Sequence, residues 1–257
     1  MKEKLYTIPL MDAFKADGEC PFCYVERKLE EHTLDFVLGP GASYMEDDVR
    51  AETDAMGFCR THFKKLYDYG NRLGTGLILK THFKKLNQEL DEQIKMFAPS
   101  RVSIMDKLKK SKNTENAART SIGAWAASTK EKCYICDFYK KTYQRYLDTF
   151  FDMYRKNPEF QELFRSCKGF CIPHFGELAD EADRVLSDKE KKQFYEVLFP
   201  LMKENMQRLY EDLDWFCDKF DYRYKDADWK NYKDALPRGM QKAAGGFPAD
   251  PPYTSDR

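Results

Sequence analysis

Apolar residues recur at intervals of three and four along most of the chain, which is the period of an amphipathic α-helix. No segment alternates apolar and polar residues in the way that a half-buried strand does. The pattern therefore predicts an all-α fold whose apolar stripes face a common core in a helical bundle. The two longest stripes are Leu79, Phe83, Leu86, Leu90, Ile94 and Phe97, and Met202, Met206, Leu209, Leu213, Phe216 and Phe220.

Residues typical of helix starts and helix ends occur between these apolar segments. The pair Ser43 and Glu46 has the spacing of a capping box, and Asn157 precedes a proline at the first helical position, so each is predicted to start a helix. Gly57 and Gly169 follow these two helices and suit the left-handed conformation at a helix end. A Cys-x₂-His segment then opens a third helix in both places.

The same pattern of cysteine and histidine occurs twice. Cys20-Pro21-Phe22-Cys23 is followed after 35 residues by Cys59-Arg60-Thr61-His62. Cys133-Tyr134-Ile135-Cys136 is followed after 34 residues by Cys171-Ile172-Pro173-His174. The offset between the two copies is 113 residues at the first pair and 112 at the second, which indicates an internal duplication.

The duplication predicts two tandem helical halves, residues 1–98 and 133–236. Residues 99–132 are rich in Lys, Ser, Asn and Thr and are interpreted as a linker with one short helix around residues 117–127. Residues 237–257 are rich in Gly, Pro and Asp and are predicted to form a flexible tail, because they offer little apolar surface to bury.

The paired motifs predict metal binding. Side chains at positions i and i+3 of a helical turn lie on one face and can converge on one ion. One Cys-x₂-Cys pair and one Cys-x₂-His pair supply the four ligands of a closed zinc site, and helix N-termini favour the thiolate form. We therefore expect two zinc ions, one in each half, while an exchange of ligand pairs between the halves stays open. The predicted ligands are Cys20, Cys23, Cys59, His62, Cys133, Cys136, Cys171 and His174.

The remaining cysteines and histidines have no counterpart in the other half. Cys167 and Cys217 are expected to be buried apolar residues, and His32 has no assigned role. His82 lies in a segment that echoes the one around His62, but no cysteine precedes it by three residues. It is the best candidate for a functional residue near a site.

Two other interpretations of the cysteines stay open beside zinc. Three cysteines and a histidine could hold an iron–sulfur cluster for electron transfer or redox sensing, although the closely spaced cysteine runs typical of such sites are missing. Cys20-Pro21-Phe22-Cys23 also resembles a thiol–disulfide exchange motif, which normally follows a strand. Because no strand is predicted, zinc is favoured.

Charge and hydropathy limit the surroundings in which the protein works. The chain has 43 basic and 43 acidic residues, so no overall field attracts nucleic acid or anionic lipid. It has no apolar run near the roughly 20 residues that span a bilayer, and its charged start does not suggest a signal peptide. We expect a cytoplasmic protein without membrane contact, in which reduced cysteines are free to bind metal.

Several segments together resemble a group of bacterial proteins classed only as a domain of unknown function. They are Lys4–Pro9, Ser43–Asp48, the two Gly-Phe-Cys-x₂-His segments and Asp234–Met240. The resemblance extends over residues 1–240 and implies no activity, substrate or cofactor.

The favoured function is therefore a non-enzymatic scaffold that uses structural zinc and binds a protein partner. The alternative of RNA binding rests on residues 215–233, where aromatic and basic residues alternate, although several aspartates there would repel phosphate. Catalysis is disfavoured because no phosphate loop, nucleophile elbow or His-Glu-x₂-His motif occurs. The acidic residues of 46–54 are interpreted as a solvated helix face.

Overall fold

The computed structural model describes residues 5–97 and 120–249 of the 257-residue chain. Within these ranges every regular element is helical and no strand occurs, so the all-α prediction is confirmed. None of the described helices is long and apolar enough to cross a membrane. The helices are α1 (Thr7–Lys15), α2 (Pro21–Leu38), α3 (Asp47–Met56), α4 (Arg60–Tyr69), α5 (Arg72–Met96), α6 (Ser121–Glu131), α7 (Tyr134–Lys156), α8 (Pro158–Ser166), α9 (Ile172–Val185), α10 (Asp188–Asp218) and α11 (Ala235–Ala244), with 3-10 turns at Ser43–Met45 and Tyr222–Tyr224.

The described residues form two compact units that differ from the tandem halves expected from the repeat. Unit 1 comprises residues 5–31 and 139–249, and unit 2 comprises residues 32–97 and 120–138. The boundaries fall inside two helices, because α2 and α7 each contribute one end to unit 1 and the other to unit 2. Each unit is therefore built from both halves of the sequence.

An aromatic core holds unit 1 together. Phe22 on α2 lies 5.7 Å from Phe150 on α7 and 5.8 Å from Phe170, measured between ring centroids. Phe164 on α8 stacks on Phe194 of α10 at 5.5 Å. All five rings are fully buried. Each contributes about 1.5–3 kcal/mol by burial alone, so this core fixes segments from distant parts of the sequence against one another.

Unit 2 has a smaller core around the end of α2. Leu34, Val37 and Leu38 pack in one buried cluster with Phe58 and with Ile135 of α7. Asn71 then starts α5: its side chain accepts the Gly74 N–H at 2.9 Å and donates to the Leu38 carbonyl at 2.8 Å. This residue therefore ties the start of α5 to the end of α2.

The buried face of α5 is not the predicted apolar stripe. Gly74, Ile78 and His82 are buried, whereas Phe83 and Ile94 are 56% and 57% exposed. Helix α3 packs along α5, and Gly57 at the end of α3 lies directly against the His82 ring of α5. The second stripe is buried only in part, since Met202 and Leu209 lie in the core while Met206 and Phe220 are exposed.

The helix predicted to start at Ser43 starts at Asp47 instead. Ser43–Met45 forms only a 3-10 turn, and Glu46, in an extended conformation, is the N-cap of α3 without a side-chain capping bond. The extended backbone of Glu46 interrupts the helix that a capping box would require. The start predicted at Asn157 is confirmed, because its side chain accepts the Phe160 N–H at 3.2 Å.

The prediction of a flexible tail after residue 236 is wrong for residues 237–249. Helix α11 occupies Ala235–Ala244, and Lys242, although charged, is only 1% exposed. Its ammonium donates to the carbonyls of Glu19 and Lys168 at 2.7 and 2.6 Å. Residues 250–257 and most of the predicted linker, residues 98–119, lie outside the described residues. The short linker helix is observed as α6, four residues later than predicted.

Candidate metal centres

The eight predicted metal ligands come together in two clusters. The first cluster, in unit 1, consists of Cys20, Cys23, Cys171 and His174, and the second cluster, in unit 2, consists of Cys59, His62, Cys133 and Cys136. Each cluster combines the Cys-x₂-Cys pair of one half with the Cys-x₂-His pair of the other. The expectation of one site within each half is therefore wrong, and the exchanged arrangement is the observed one.

Core packing explains this exchange. In unit 1 the rings of Phe22 and Phe170, neighbours in sequence of Cys23 and Cys171, pack against each other in the aromatic core. In unit 2 the Tyr134 N–H, next to Cys133, donates to the Gly57 carbonyl at 2.9 Å. The residues that flank each cysteine pair thus select its partner.

Every ligand pair lies at the start of a helix. Cys59 and Cys171 are the N-caps of α4 and α9, while Cys20 and Cys133 immediately precede α2 and α7. The carbonyl of each of these four cysteines accepts the backbone N–H four residues later. Two helix N-termini therefore point their partial positive charge at each cluster, which stabilises thiolates.

The first cluster is almost sealed from solvent. Its four residues are between 0% and 3% exposed. His174 Nδ1 lies 3.4, 3.5 and 3.0 Å from the sulfurs of Cys20, Cys23 and Cys171, and the sulfurs of Cys23 and Cys171 are 3.7 Å apart.

The second cluster has the same internal geometry but is less enclosed. His62 Nδ1 lies 3.2, 3.2 and 3.3 Å from the sulfurs of Cys59, Cys133 and Cys136. The sulfurs of Cys59 and Cys136 are 3.9 Å apart. His62 and Cys133 are buried, whereas Cys59 and Cys136 are half-buried.

These distances fit a single tetrahedral ion in each cluster. Zinc bonds to sulfur at about 2.3 Å and to nitrogen at about 2.0–2.1 Å, which places ligand sulfurs about 3.8 Å apart and sulfur about 3.6 Å from nitrogen. A disulfide would bring two sulfurs to about 2.0 Å, far below the observed separations. Both clusters could therefore hold a metal ion.

The ionisation of the thiols points the same way. Burial raises the pKa of Cys20, but contacts with Cys171, Cys23 and His174 outweigh burial and bring it well below the ordinary value. Hydrogen bonds with Cys171 and Cys20, together with burial, raise the pKa of Cys23. In the second cluster burial raises the pKa of Cys133, but the hydrogen bond and charge of His62, together with backbone hydrogen bonds at Cys59 and Cys136, outweigh burial and bring the pKa to about 6. Ionisation of one thiol thus disfavours ionisation of its neighbour, and a cation between the sulfurs would stabilise all of them as thiolates.

Two glutamates surround the histidine of the first cluster. Glu26 Oε1 is 3.2 Å from His174 Nε2, and Glu177 Oε2 is 3.9 Å from the same nitrogen. The hydroxyl of Tyr139 donates to Glu26, and that of Tyr143 donates to Glu177 at 3.1 Å. A carboxylate on the second nitrogen of a ligand histidine orients the ring and strengthens its bond to a metal.

These two glutamates lie outside the cysteine and histidine motifs, although their spacing in the sequence could have identified them. Glu26 is three residues after Cys23, and Glu177 is three residues after His174, so each lies one helical turn beyond a predicted ligand.

A buried charge network supports the other side of the first cluster. Glu19, which is 1% exposed, forms ion pairs with Arg208 at 2.6 Å and with Lys242 at 3.2 Å. Burial raises the pKa of Glu19, but Arg208 and Lys242 outweigh it and the net pKa is lowered. Because Lys242 also binds the carbonyls of Glu19 and Lys168, it fixes the residue before Cys20 and the loop before Cys171.

His82 lies beside the second cluster's loop and is not part of the cluster. Its Nδ1 is 2.9 Å from the Asp54 carbonyl, and a Cβ on Gly57 would lie 2.6 Å from its Nε2. The ring therefore packs directly on the turn that leads to Cys59. The structure gives it a packing role at this turn.

The two unmatched cysteines lie outside the clusters. Cys167 is half-buried, its thiol donates to the Phe164 carbonyl at 3.3 Å, and burial raises its pKa to about 12. Cys217 is exposed, so the prediction that it is buried is wrong. It lies near the C-terminal end of α10, where that helix leaves the core.

The structure also describes the acidic segment, residues 46–54, and the aromatic and basic segment, residues 215–233. Glu46, Asp47, Asp48 and Glu52 are exposed, as expected for a solvated helix face. In residues 215–233 the Trp215 N–H donates to the Asp228 carbonyl at 3.3 Å, and the Trp229 ring contacts Phe216 at 6.0 Å. These aromatics largely pack against one another.

Comparison with known proteins places the chain in a family without assigning it a function. Residues 1–250 match the model of a family of unknown function, DUF6062, and the chain belongs to this family. No curated protein and no solved structure matches the chain.

Proposed function

We propose that this member of the DUF6062 family binds one zinc ion in each cluster and that the two ions are structural. The observation that carries the proposal is the geometry of the donors. In both clusters three sulfurs and one imidazole nitrogen lie within 4.8 Å of one another. A cation between four donors this close would offset the repulsion between their thiolates.

The donor set favours zinc over an iron–sulfur cluster. In a multi-iron cluster the protein ligands bind different iron atoms and are held apart by the inorganic core. The separations of 3.7 and 3.9 Å between sulfurs suit a single ion. Thiolate and imidazole ligands in tetrahedral geometry are typical of zinc.

The enclosure of the clusters supports a structural role. A catalytic zinc site leaves one position for water or substrate, whereas four protein ligands complete the tetrahedron. Structural zinc contributes about 10–16 kcal/mol of apparent binding free energy, which equals or exceeds the stability of a typical domain. The protein is thus proposed to be a zinc-stabilised scaffold, and its protein partner stays a prediction.

The RNA-binding alternative has less support. Lys219 uses its ammonium to bind the carbonyls of Tyr224, Lys225 and Ala227, so this cation organises the turn that follows α10. The aromatic residues around it contact one another, which suits docking of this segment on the protein better than stacking on bases.

Metal analysis of the full-length protein tests the proposal. Protein purified without air should contain about two zinc ions per chain and show no visible absorption. The variant Cys217→Ser, which alters an exposed cysteine outside both clusters, should keep the same zinc content. A brown protein with iron and sulfide, or one without bound metal, would overturn the proposal.

A further inference from the structure

A cavity in unit 1, apart from both clusters, has an unusual distribution of charge. It measures about 740 Å³ and lies between α10, α11 and the turn that joins them. Among its lining residues Arg208 and Arg238 are half-buried and are called the inner wall, whereas Lys230 and Lys233 are exposed and are called the rim. Lys168 also lines it and forms an ion pair with Asp17. Three carboxylates, on Asp17, Asp212 and Asp234, also line it.

The inner wall is neutralised by ion pairs. Arg208 binds Glu19 at 2.6 Å and Asp212 at 3.3 Å. Arg238 binds Asp212 at 2.6 Å and Asp234 at 2.9 Å. These two arginines and three carboxylates are paired with one another, so the wall contributes no net positive charge.

The rim differs, because its two lysines have no carboxylate partner among the residues that the structure describes. Lys230 lies with its ammonium 5.2 Å from the Trp215 ring and 5.8 Å from the Tyr232 ring. Lys233 is exposed and forms no ion pair with any described residue. Two uncompensated cations therefore stand at the mouth of the cavity.

The backbone holds Lys230 in place at a conformational cost. Its φ is 48°, in the left-handed region that residues other than glycine rarely adopt. The Asp228 side chain accepts the Lys230 N–H at 3.0 Å and stabilises this turn. Such strain is found preferentially where a side chain must be held for a ligand. The backbone position from which the Lys230 side chain projects is thus fixed before any ligand arrives.

We propose that this cavity binds a small molecule that carries a phosphate group. Lysine ammonium groups form strong charge-assisted hydrogen bonds with phosphate, and the cavity volume is within the usual range of small-molecule sites. The anion would lie between Lys230 and Lys233 at the rim, with the rest of the molecule against the paired arginine wall. None of the eight clustered cysteines and histidines lines this cavity, so the titration reports on a site other than the metal clusters.

Calorimetric titration of the full-length, metal-loaded protein with inorganic pyrophosphate tests the site. The double variant Lys230→Asn/Lys233→Gln removes both cations, and asparagine tolerates the left-handed backbone. Lys189→Asn/Lys192→Gln is the matched control, because it removes two exposed lysines at the same spacing near the start of α10. The melting temperature of each variant shows whether it is folded.

Wild-type protein and the control should bind pyrophosphate, and the rim variant should bind it at least about tenfold more weakly, the effect of one lost charged hydrogen bond. Competition by adenosine monophosphate would support the small-molecule site and identify a nucleotide as one source of the phosphate. No binding at low ionic strength, or equal loss in both variants, would overturn the proposal. Tighter binding of single-stranded RNA than of any small phosphate would also overturn it and favour RNA.

Discussion

The two clusters use the same four residue types with nearly the same internal distances, yet their surroundings differ. The first cluster is sealed, with no ligand more than 3% exposed, whereas Cys59 and Cys136 of the second are half-buried. The separation between imidazole nitrogen and sulfur is 3.0–3.5 Å in one and 3.2–3.3 Å in the other. Ligand identity therefore does not distinguish the sites.

The residues just beyond the ligands do distinguish them. The first cluster has Glu177 three residues after its histidine, and the second has Lys65 at the corresponding position. Glu26 and Tyr139 occupy corresponding positions after the two Cys-x₂-Cys pairs, and both lie beside the first cluster. Two carboxylates therefore lie beside His174, on residues that the motifs do not include. Together with the deeper burial of the first cluster, they predict a tight first site and a more labile second site.

Chelation should have the largest effect. Because each structural zinc ion contributes about 10–16 kcal/mol, a strong chelator should abolish cooperative unfolding and most helical circular dichroism. Zinc should leave in two steps, and the ion bound by the half-buried second cluster should be released first. A metal-binding dye monitored during a slow chelator titration measures both steps.

Assignment of these steps requires one variant in each cluster. Cys136→Ser should remove the fast step, and Cys20→Ser should remove the slow one. If the protein keeps its helicity and melting behaviour after both ions are removed, the structural role is contradicted. If Cys20→Ser removes the fast step instead, enclosure does not control zinc release.

Lys242→Met should be the most destabilising change outside the clusters. Methionine fills a similar volume but leaves the carbonyls of Glu19 and Lys168 without their buried donor and Glu19 without one of its cations. Loss of one partner from a buried ion pair costs about 3–5 kcal/mol. Urea unfolding of zinc-loaded protein should show this loss, together with faster zinc release from the first cluster.

The exposed Lys203 provides the control for this change. Lys203→Met should alter stability by less than about 0.5 kcal/mol. A Lys242→Met protein as stable as Lys203→Met would mean that α11 does not support the first cluster.

Glu26→Gln should weaken zinc binding at the first cluster alone. The amide can still accept a hydrogen bond from His174 Nε2, but the negative charge that strengthens the imidazole as a ligand is lost. Changes of this kind cost about 10–100-fold in metal affinity. Competition with a chelator of known affinity measures the change at each step of release.

Glu204→Gln, which alters an exposed residue of α10, should leave both affinities unchanged. A Glu26→Gln variant that weakens both clusters equally would contradict the assignment of Glu26 to the first one.

Gly57→Ala should destabilise the protein more than Gly169→Ala, although both glycines precede a Phe-Cys pair. Gly57 has φ 59° and ψ −155°, a region almost restricted to glycine, and its new Cβ would lie 2.6 Å from His82 Nε2. At Gly169, with φ 74°, the new Cβ would lie 3.1 Å from the flexible Met202 side chain. We expect costs of about 2–3 and 1–2 kcal/mol, respectively, in urea unfolding. An equal loss of unfolding free energy in both variants would show that the His82 ring moves aside for the new methyl group.

Local features of the structure could be predicted from the sequence because they depend on neighbouring residues. Cysteine and histidine at i and i+3 and a proline after an asparagine each act within one helical turn, and helices start as these signals indicate. The eight predicted metal ligands could be identified for the same reason, because each pair is defined by a spacing of three residues.

Pairing between distant segments could not be predicted in this way. Either Cys-x₂-His pair offers the same chemistry to Cys20 and Cys23, and the two spacings along the chain are nearly equal. The choice depends on the packing of Phe22 against Phe170, a contact across 148 residues of sequence. Likewise, helix α11 is held in place by the buried hydrogen bonds of Lys242. The buried face of α5 includes Gly74 and His82. Because these contacts do not depend on a stripe of apolar residues, apolar periodicity did not predict them.

Zinc content of two double variants, measured by native mass spectrometry, tests the exchanged pairing most directly. Cys20→Ala/Cys171→Ala removes two ligands from the first cluster and leaves the second complete, so about one zinc ion per chain should remain. Cys20→Ala/Cys59→Ala removes one ligand from each cluster and should lower zinc occupancy at both. If instead the first variant loses both ions while the second keeps one, each half binds its own ion and the exchanged pairing is wrong.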